Sequence, residues 1–332
     1  MPRIVVNKTP RDGDVHTWAD YIELLAVINL DSICTVDAVL DRILDAGSVD
    51  ETDDEVGSDD SDEAHDPVSP RRDRRPLMRG RYSRRIFDAF EMLAWRASAY
   101  DGAYPFVVAD DKRSISVRAD LGPANYVYLF LLVAANLPFV SVGRNQVTNA
   151  FEEIAVRVMR AVLPRDAEVH VFGKATAQRY SGSAFRKIEA LAADIRASLR
   201  ATESTYRASD SGDSGIDIVA WHGLNDKQGN IFVYFGQCAC SRADWTKKQL
   251  SASPGNLAKQ LATIPAWNTI MFVPICFRRV GGDWAVDSDV TDVVFFDRYR
   301  VIGNSSGPDV VEEVEAIKLI VDEVLSAKEE VV

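Results

Sequence analysis

The sequence predicts an α/β fold, and three observations carry that prediction. After residue 215 the pattern reads as four strands: "IDIVAWHG", "IFVYFGQCA", "TIMFVPICF" and "DVVFFDRYRVI". Before it, apolar residues recur mostly at three-and-four spacing, the period of amphipathic helices. The composition, 47% hydrophobic and 27% charged over 332 residues, is that of a chain able to bury a sizeable core.

Residues 1–47 contain two short helices, "TWADYIELLAVINL" and "TVDAVLDRILDAG". Thr35 is placed to cap the second and Gly47 to stop it. So small a hairpin must pack on the main body or on a partner. Residues 48–80 read as a charged linker. An acidic run, Asp50 to Asp66, precedes a basic one, Pro70 to Arg85, with the composition of a solvated, disordered segment. A sharper reading is that the acidic run masks the basic one until nucleic acid or a partner competes for it.

Residues 81–165 form a mostly helical accessory region. It runs through "SRRIFDAFEMLAWRASAY", an extended stretch "YPFVVADDKRSISVRADLG", an apolar helix around Leu129, and "QVTNAFEEIAVRVMRAVLP", ended by Pro164. Residues 166–332 form the core domain. It opens with the strand "EVHVFGKA" and the long helix "SGSAFRKIEALAADIRASLRA", for which Ser181 or Ser183 is the cap. The four strands follow, with a short helix "NLAKQLATI" between the second and third, and a final helix closes the chain. No internal repeat is visible.

Several function classes are disfavoured. The longest apolar run, "YVYLFLLVAA", falls short of the ~18–20 residues of a membrane span, and "MPRIVVNKTPRDGD" has no signal-peptide core. Cys34, Cys238, Cys240 and Cys276 make neither a disulfide framework nor a zinc spacing, so a reducing cytoplasm fits best. The net charge of −12 argues against a sequence-indifferent DNA coat. "NSSG" at Asn304 is not a phosphate loop.

The chemistry concentrates in one hairpin. "LNDKQGN" holds the turn residues Asn225, Asp226 and Gly229, and strands lie on both sides. A turn centred on Lys227 sets Asp217 directly opposite Gln237, with Cβ atoms roughly 4.5–5.5 Å apart. Alternation puts Ile231, Val233, Phe235 and Gln237 on one face, so an amide continues an apolar row and meets a carboxylate across the sheet. Two such oxygens and the main-chain carbonyl of Cys238 suit a hard cation such as magnesium. Cys238 and Cys240 fall on the opposite face as small buried hydrophobes.

An upstream helix, an Asp on one strand, and an acid or Gln near the end of the next, followed by a helix, resemble the PD-(D/E)XK nuclease superfamily. The resemblance covers about residues 181 to 280. It implies a restriction-endonuclease-like mixed sheet core flanked by helices. It also implies that Asp217 matches the metal-ligating Asp, Gln237 the following acid position, and Glu189 the helix acid that many members add. The departure is the lysine expected two residues after Gln237, where Ala239 stands. Such lysines migrate in this family, and Lys248, or its neighbour Lys247, is the candidate, on a helix capped by Asp244 or Ser241. Asp213 is read as a turn residue, with a second metal as its other reading.

The resemblance implies a Mg2+- (or Mn2+-) dependent endonuclease that cleaves DNA, with RNA left open. The implied setting is a bacterial restriction or anti-phage system directed by a companion ATPase, helicase or sensor protein. Homo-oligomerisation is left open. The alternative is a catalytically degenerate adaptor, in which Gln237 is a structural amide bonded to Asp217. Trp245 reads as a core anchor. Arg298 and Arg300 could reach phosphate, but such pairs are more often solvated or salt-bridged.

Overall fold

The computed structural model describes residues 9–10, 14–46, 75–140, 143–172, 179–207, 214–242, 244–305, 310–311 and 314–328. The acidic run, Gly47, His65, Asp213 and the second half of "NSSG" lie outside the described residues.

The chain opens with α1 (Val15–Ile28), β1 (Ile33–Thr35), α2 (Val36–Ala46) and α3 (Arg75–Tyr100). Next come β2 (Phe106–Val108), β3 (Ser114–Val117), α4 (Pro123–Ala135), α5 (Arg144–Val162) and β4 (Glu168–Val171). Then follow α6 (Ala184–Asp194), β5 (Ser198–Leu199), β6 (Ile218–His222), β7 (Phe232–Cys238), α7 (Trp245–Lys248) and α8 (Pro254–Leu257). The chain continues through β8 (Leu261–Ala262), β9 (Asn268–Phe272), β10 (Val294–Phe296), α9 (Arg298–Asn304) and α10 (Glu315–Ser326).

The architecture is mixed α/β. Its main sheet has five strands in the order β10-β9-β7-β6-β4. β6 runs antiparallel to both β4 and β7, whereas β7, β9 and β10 are mutually parallel. One face carries Ile218, Ala220, Ile270 and Phe272, which belong to one large apolar cluster with residues of α1, α3, α4, α5 and α10; α5 lies against β4 and β7. The other face carries Val219, Trp221, Val233 and Phe235 under Ile188 and Leu191 of α6. A third cluster gathers Trp245, Met271, Phe277 and Phe295 at the parallel side, so Trp245 is the core anchor that its sequence position suggests.

Local chemistry explains the boundaries. Thr35 Oγ1 accepts from the Ala38 amide at 3.1 Å, the cap that starts α2. Leu163 turns extended before Pro164 and ends α5, as expected of a residue preceding proline. Ser183 accepts from the Arg186 amide and starts α6.

Five elements differ from expectation, one being "NLAKQLATI", where the helix stops at Leu257 and Leu261–Ala262 is the short strand β8 paired with β5. α6 stops at Asp194 because Arg196 takes a left-handed φ of 55°. Only the first half of "DVVFFDRYRVI" is a strand; Asp297 then accepts from the Arg300 amide and begins a helix. α3 begins at Arg75, inside the stretch read as linker, so part of the basic run is helical. Finally, β1 was not expected, and it pairs with β3 in a small sheet of order β1-β3-β2.

The N-terminal helix is not peripheral. Almost every residue of α1 is buried, including Asp20 and Glu23. Asp20 pairs with Arg96 at 2.7 Å, Arg298 at 3.0 Å and Arg242; Glu23 pairs with Arg96 at 2.9 Å and Arg298 at 3.4 Å. Tyr104 and Tyr128 donate their hydroxyls to Glu23 at 2.9 and 2.8 Å. Burial pushes the Asp20 carboxyl up, but Arg298, Arg96 and Arg242 outweigh it and hold the group well below the usual carboxylate range. Arg298 is thus a buried structural cation, the salt-bridged of its two readings. Arg300 donates to the Phe295 carbonyl at 2.8 Å and lies over Trp284.

Candidate functional site

The β6–β7 hairpin has the register that its turn predicts. Ile218 pairs with Gly236 and His222 with Phe232, and the regular pairing ends at Ile218, one residue short of Asp217. Leu224 and Asn225 take left-handed φ values of 53° and 57° in the turn. Gly236 allows the tight crossing, because a Cβ there would meet the Ile218 Cβ at 3.2 Å and the Phe272 ring at 3.4 Å.

At the open end of the hairpin the ladder changes. The Asp217 amide donates to the Gly236 carbonyl at 3.0 Å, and the Asp217 carbonyl accepts from the Phe172 amide at 2.8 Å. Beyond that point the Asp217 side chain takes over from main chain: its Oδ2 accepts the Cys238 amide at 2.7 Å. In an extended strand the N–H and C=O of one residue point to the same edge. The Cys238 carbonyl therefore faces the β6 edge, the side on which Asp217 lies.

Gln237 is 7% exposed, and its Oε1 is buried with no hydrogen-bond partner. Such an acceptor costs on the order of 1–3 kcal/mol unless a donor or cation meets it. The expected Asp217–Gln237 amide bond of the degenerate reading does not account for this oxygen, since a carboxylate offers it no proton. One carboxylate, one amide oxygen and one carbonyl are hard oxygen donors of the kind that Mg2+ takes with several waters. They carry little charge: among the described residues no group of three or more His, Cys, Asp or Glu is placed to hold a metal. Asp217, Gln237 and the Cys238 carbonyl are oxygen donors with one formal negative charge among them, which in kind suits a hydrated divalent ion.

The remaining candidates do not converge there. Glu189 Oε2 pairs with Arg186 at 2.7 Å, and its side chain is 42% exposed. The cause is helix phase: Lys187, Ile188 and Leu191 occupy the buried stripe of α6, and position 189 falls beside it. Lys247 and Lys248 are exposed on the single turn of α7, whose buried residue is Trp245. Neither Asp244 nor Ser241 caps that turn by its side chain; the Ser241 hydroxyl instead bonds Asp244 Oδ2 at 3.0 Å.

Sequence reasoning missed Lys187, which is 7% exposed and the one lysine among the buried polar residues described. The signal was present: Lys187 stands in the apolar stripe of Ala184, Ile188, Leu191 and Ala192. It also missed Asp20 and Glu23, two acids inside an otherwise apolar helix, a pattern that demands buried counter-charges.

No family model, curated protein or solved structure matches this chain.

Proposed function

We propose that this protein is a Mg2+- or Mn2+-dependent endonuclease that hydrolyses phosphodiester bonds of DNA. One observation carries the reading: the buried, unpartnered Oε1 of Gln237 stands one strand away from the Asp217 carboxylate, at the open end of a hairpin. The mixed sheet flanked by helices agrees with the restriction-endonuclease-like core that the resemblance implies.

Asp217, Gln237 and the Cys238 carbonyl would hold the ion. When bound, the ion neutralises a phosphate oxygen and lowers the pKa of its water. The residues themselves do the positioning. Asp217 holds the Cys238 amide and so keeps the ends of β6 and β7 at fixed spacing. Gln237 presents its oxygen from a row shared with Val233 and Phe235, whose burial limits how far it can swing. The setting that we propose with this activity is a restriction or anti-phage system with a companion ATPase, helicase or sensor protein. An unguided nuclease would attack host DNA, and the net charge of −12 weakens unassisted binding.

A second reading, an adaptor without catalysis, is favoured by a separate observation: one Asp217 oxygen already serves a main-chain amide, and Glu189 faces Arg186. Plasmid nicking separates the two. Nicking that requires Mg2+ or Mn2+ and disappears in Asp217→Ala supports the nuclease; its absence from the wild type under all ionic conditions supports the adaptor.

A further inference from the structure

We propose that Arg242 is a positioning residue of the candidate ion site: its guanidinium ties the segment leaving β7 to α1 and α4 and so fixes the Cys238 carbonyl. The consequence for ion binding rests on the reading given above, but the positioning itself is testable without metal.

The carbonyl belongs to the peptide at which β7 leaves the sheet. The Ala239 amide donates to the Phe272 carbonyl of β9 at 3.0 Å. In a trans peptide the C=O points opposite to the N–H of the same unit. The Cys238 carbonyl therefore faces away from β9, toward the edge where Asp217 takes the Cys238 amide. β7 ends at Cys238, and α7 begins only at Trp245. Arg242 lies in this connection, four residues past the carbonyl.

Three groups on two helices hold the Arg242 guanidinium. Its Nε donates to the carbonyl of Ala135, the last residue of α4, at 2.8 Å. Nη1 donates to the Thr17 hydroxyl of α1 at 3.1 Å, and Nη2 to Asp20 Oδ2 of the same helix. A carbonyl in the last turn of a helix has no partner within it and stands at the negative end of the dipole, which suits a cation. The Arg242 side chain is 11% exposed and Asp20 fully buried, so salt screens their attraction little. A planar guanidinium fork can reach a carbonyl, a hydroxyl and a carboxylate at once; an ammonium is a single point charge.

Arg96 and Arg298 meet the same carboxylate, but they stand on α3 and α9. Of the three, Arg242 alone is carried by the segment that leaves β7. Losing it frees the chain just beyond the Cys238 carbonyl, whereas the rest of the network can weaken without moving that peptide.

The test uses the full-length protein, the variant Arg242→Met, and Tyr104→Phe as a control that loses a bond to Glu23 in the same network. Urea brings all three to equal global stability, so that only local differences remain. The first reading is hydrogen exchange of the Cys238 and Ala239 amides without metal. Arg242→Met should exchange them about tenfold faster than wild type, and Tyr104→Phe should stay within about twofold. The second is Mn2+ affinity by titration calorimetry, which should fall about tenfold in Arg242→Met and stay within about twofold in the control. Wild-type exchange at both amides in folded Arg242→Met overturns the assignment. So does an equal acceleration in Tyr104→Phe, which would reduce the effect to general loosening of the network. A wild type that binds no Mn2+ overturns the ion reading and leaves the exchange result to decide the positioning. If Arg242→Met does not fold, Arg242→Lys, which keeps the charge and loses the fork, is judged by the same readings.

Discussion

Asp20 in α1 and Arg298 in α9 stand 278 residues apart in sequence and meet at 3.0 Å, with neither side chain exposed. Arg242, four residues past the end of β7, joins the same carboxylate. The first helix of the protein is therefore tied directly to the loop that follows the candidate site.

Removing Asp20 takes the carboxylate from Arg242 and leaves Glu23 as the one acid paired with both Arg96 and Arg298. Asp20→Ala should destabilise the protein by about 3–5 kcal/mol, because breaking a buried ion pair leaves uncompensated charge. Urea unfolding of the variant against wild type measures it. A loss under about 1 kcal/mol would show that the arginines find other partners and that α1 is not held this way.

His16 sets a pH dependence. Burial lowers its imidazole from 6.5 to about 3, and Arg242 acts in the same direction. The unfolded chain therefore binds a proton that the folded chain refuses as pH falls below 6.5, and stability drops with acid. The slope approaches 1.4 kcal/mol per pH unit, or about 2 kcal/mol between pH 7 and 5. Asp20, also depressed when folded, adds its own loss only below about pH 4, where the unfolded carboxyl begins to protonate. Urea midpoints at pH 7 and 5 should converge in His16→Asn; an unchanged difference would assign the acid sensitivity elsewhere.

Gly215 positions the entry to Asp217. Its φ is +79°, and an added Cβ would stand 2.8 Å from the Ser251 Cβ. Gly215→Ala should cost about 1–3 kcal/mol from strain at that φ and the clash together. Thermal unfolding reads the loss, and Ser251→Gly added to the first change should recover only the clash. Equal stability of Gly215→Ala and wild type would mean that this turn shifts freely.

The electrostatics of the candidate site predict opposite results for two acid positions. Gln237→Glu supplies a second carboxylate and should tighten Mn2+ binding at least tenfold by titration calorimetry. Glu189→Gln should leave Mn2+ affinity within twofold of wild type, since Glu189 is engaged with Arg186 on the exposed side of α6. A large loss in Glu189→Gln would return that residue to the metal site.

Sequence by itself determined the features that repeat locally. The alternation of β6 and β7, with the turn between them, set the register that pairs Ile218 with Gly236 and His222 with Phe232. Thr35, Ser183 and Pro164 marked helix ends because a cap or a missing amide acts within a few residues. Tertiary structure alone decided what depends on distant partners. "DRYRVI" carries a strand-like pattern but is helical, because Asp297 caps it and Arg298 is drawn to acids in α1. The phase and direction of α6, set by its packing on the sheet and by Arg196 at the turn, turned Glu189 outward and Lys187 inward. Ion pairs and helix rotation are fixed by neighbours from remote parts of the chain, and no local period encodes them.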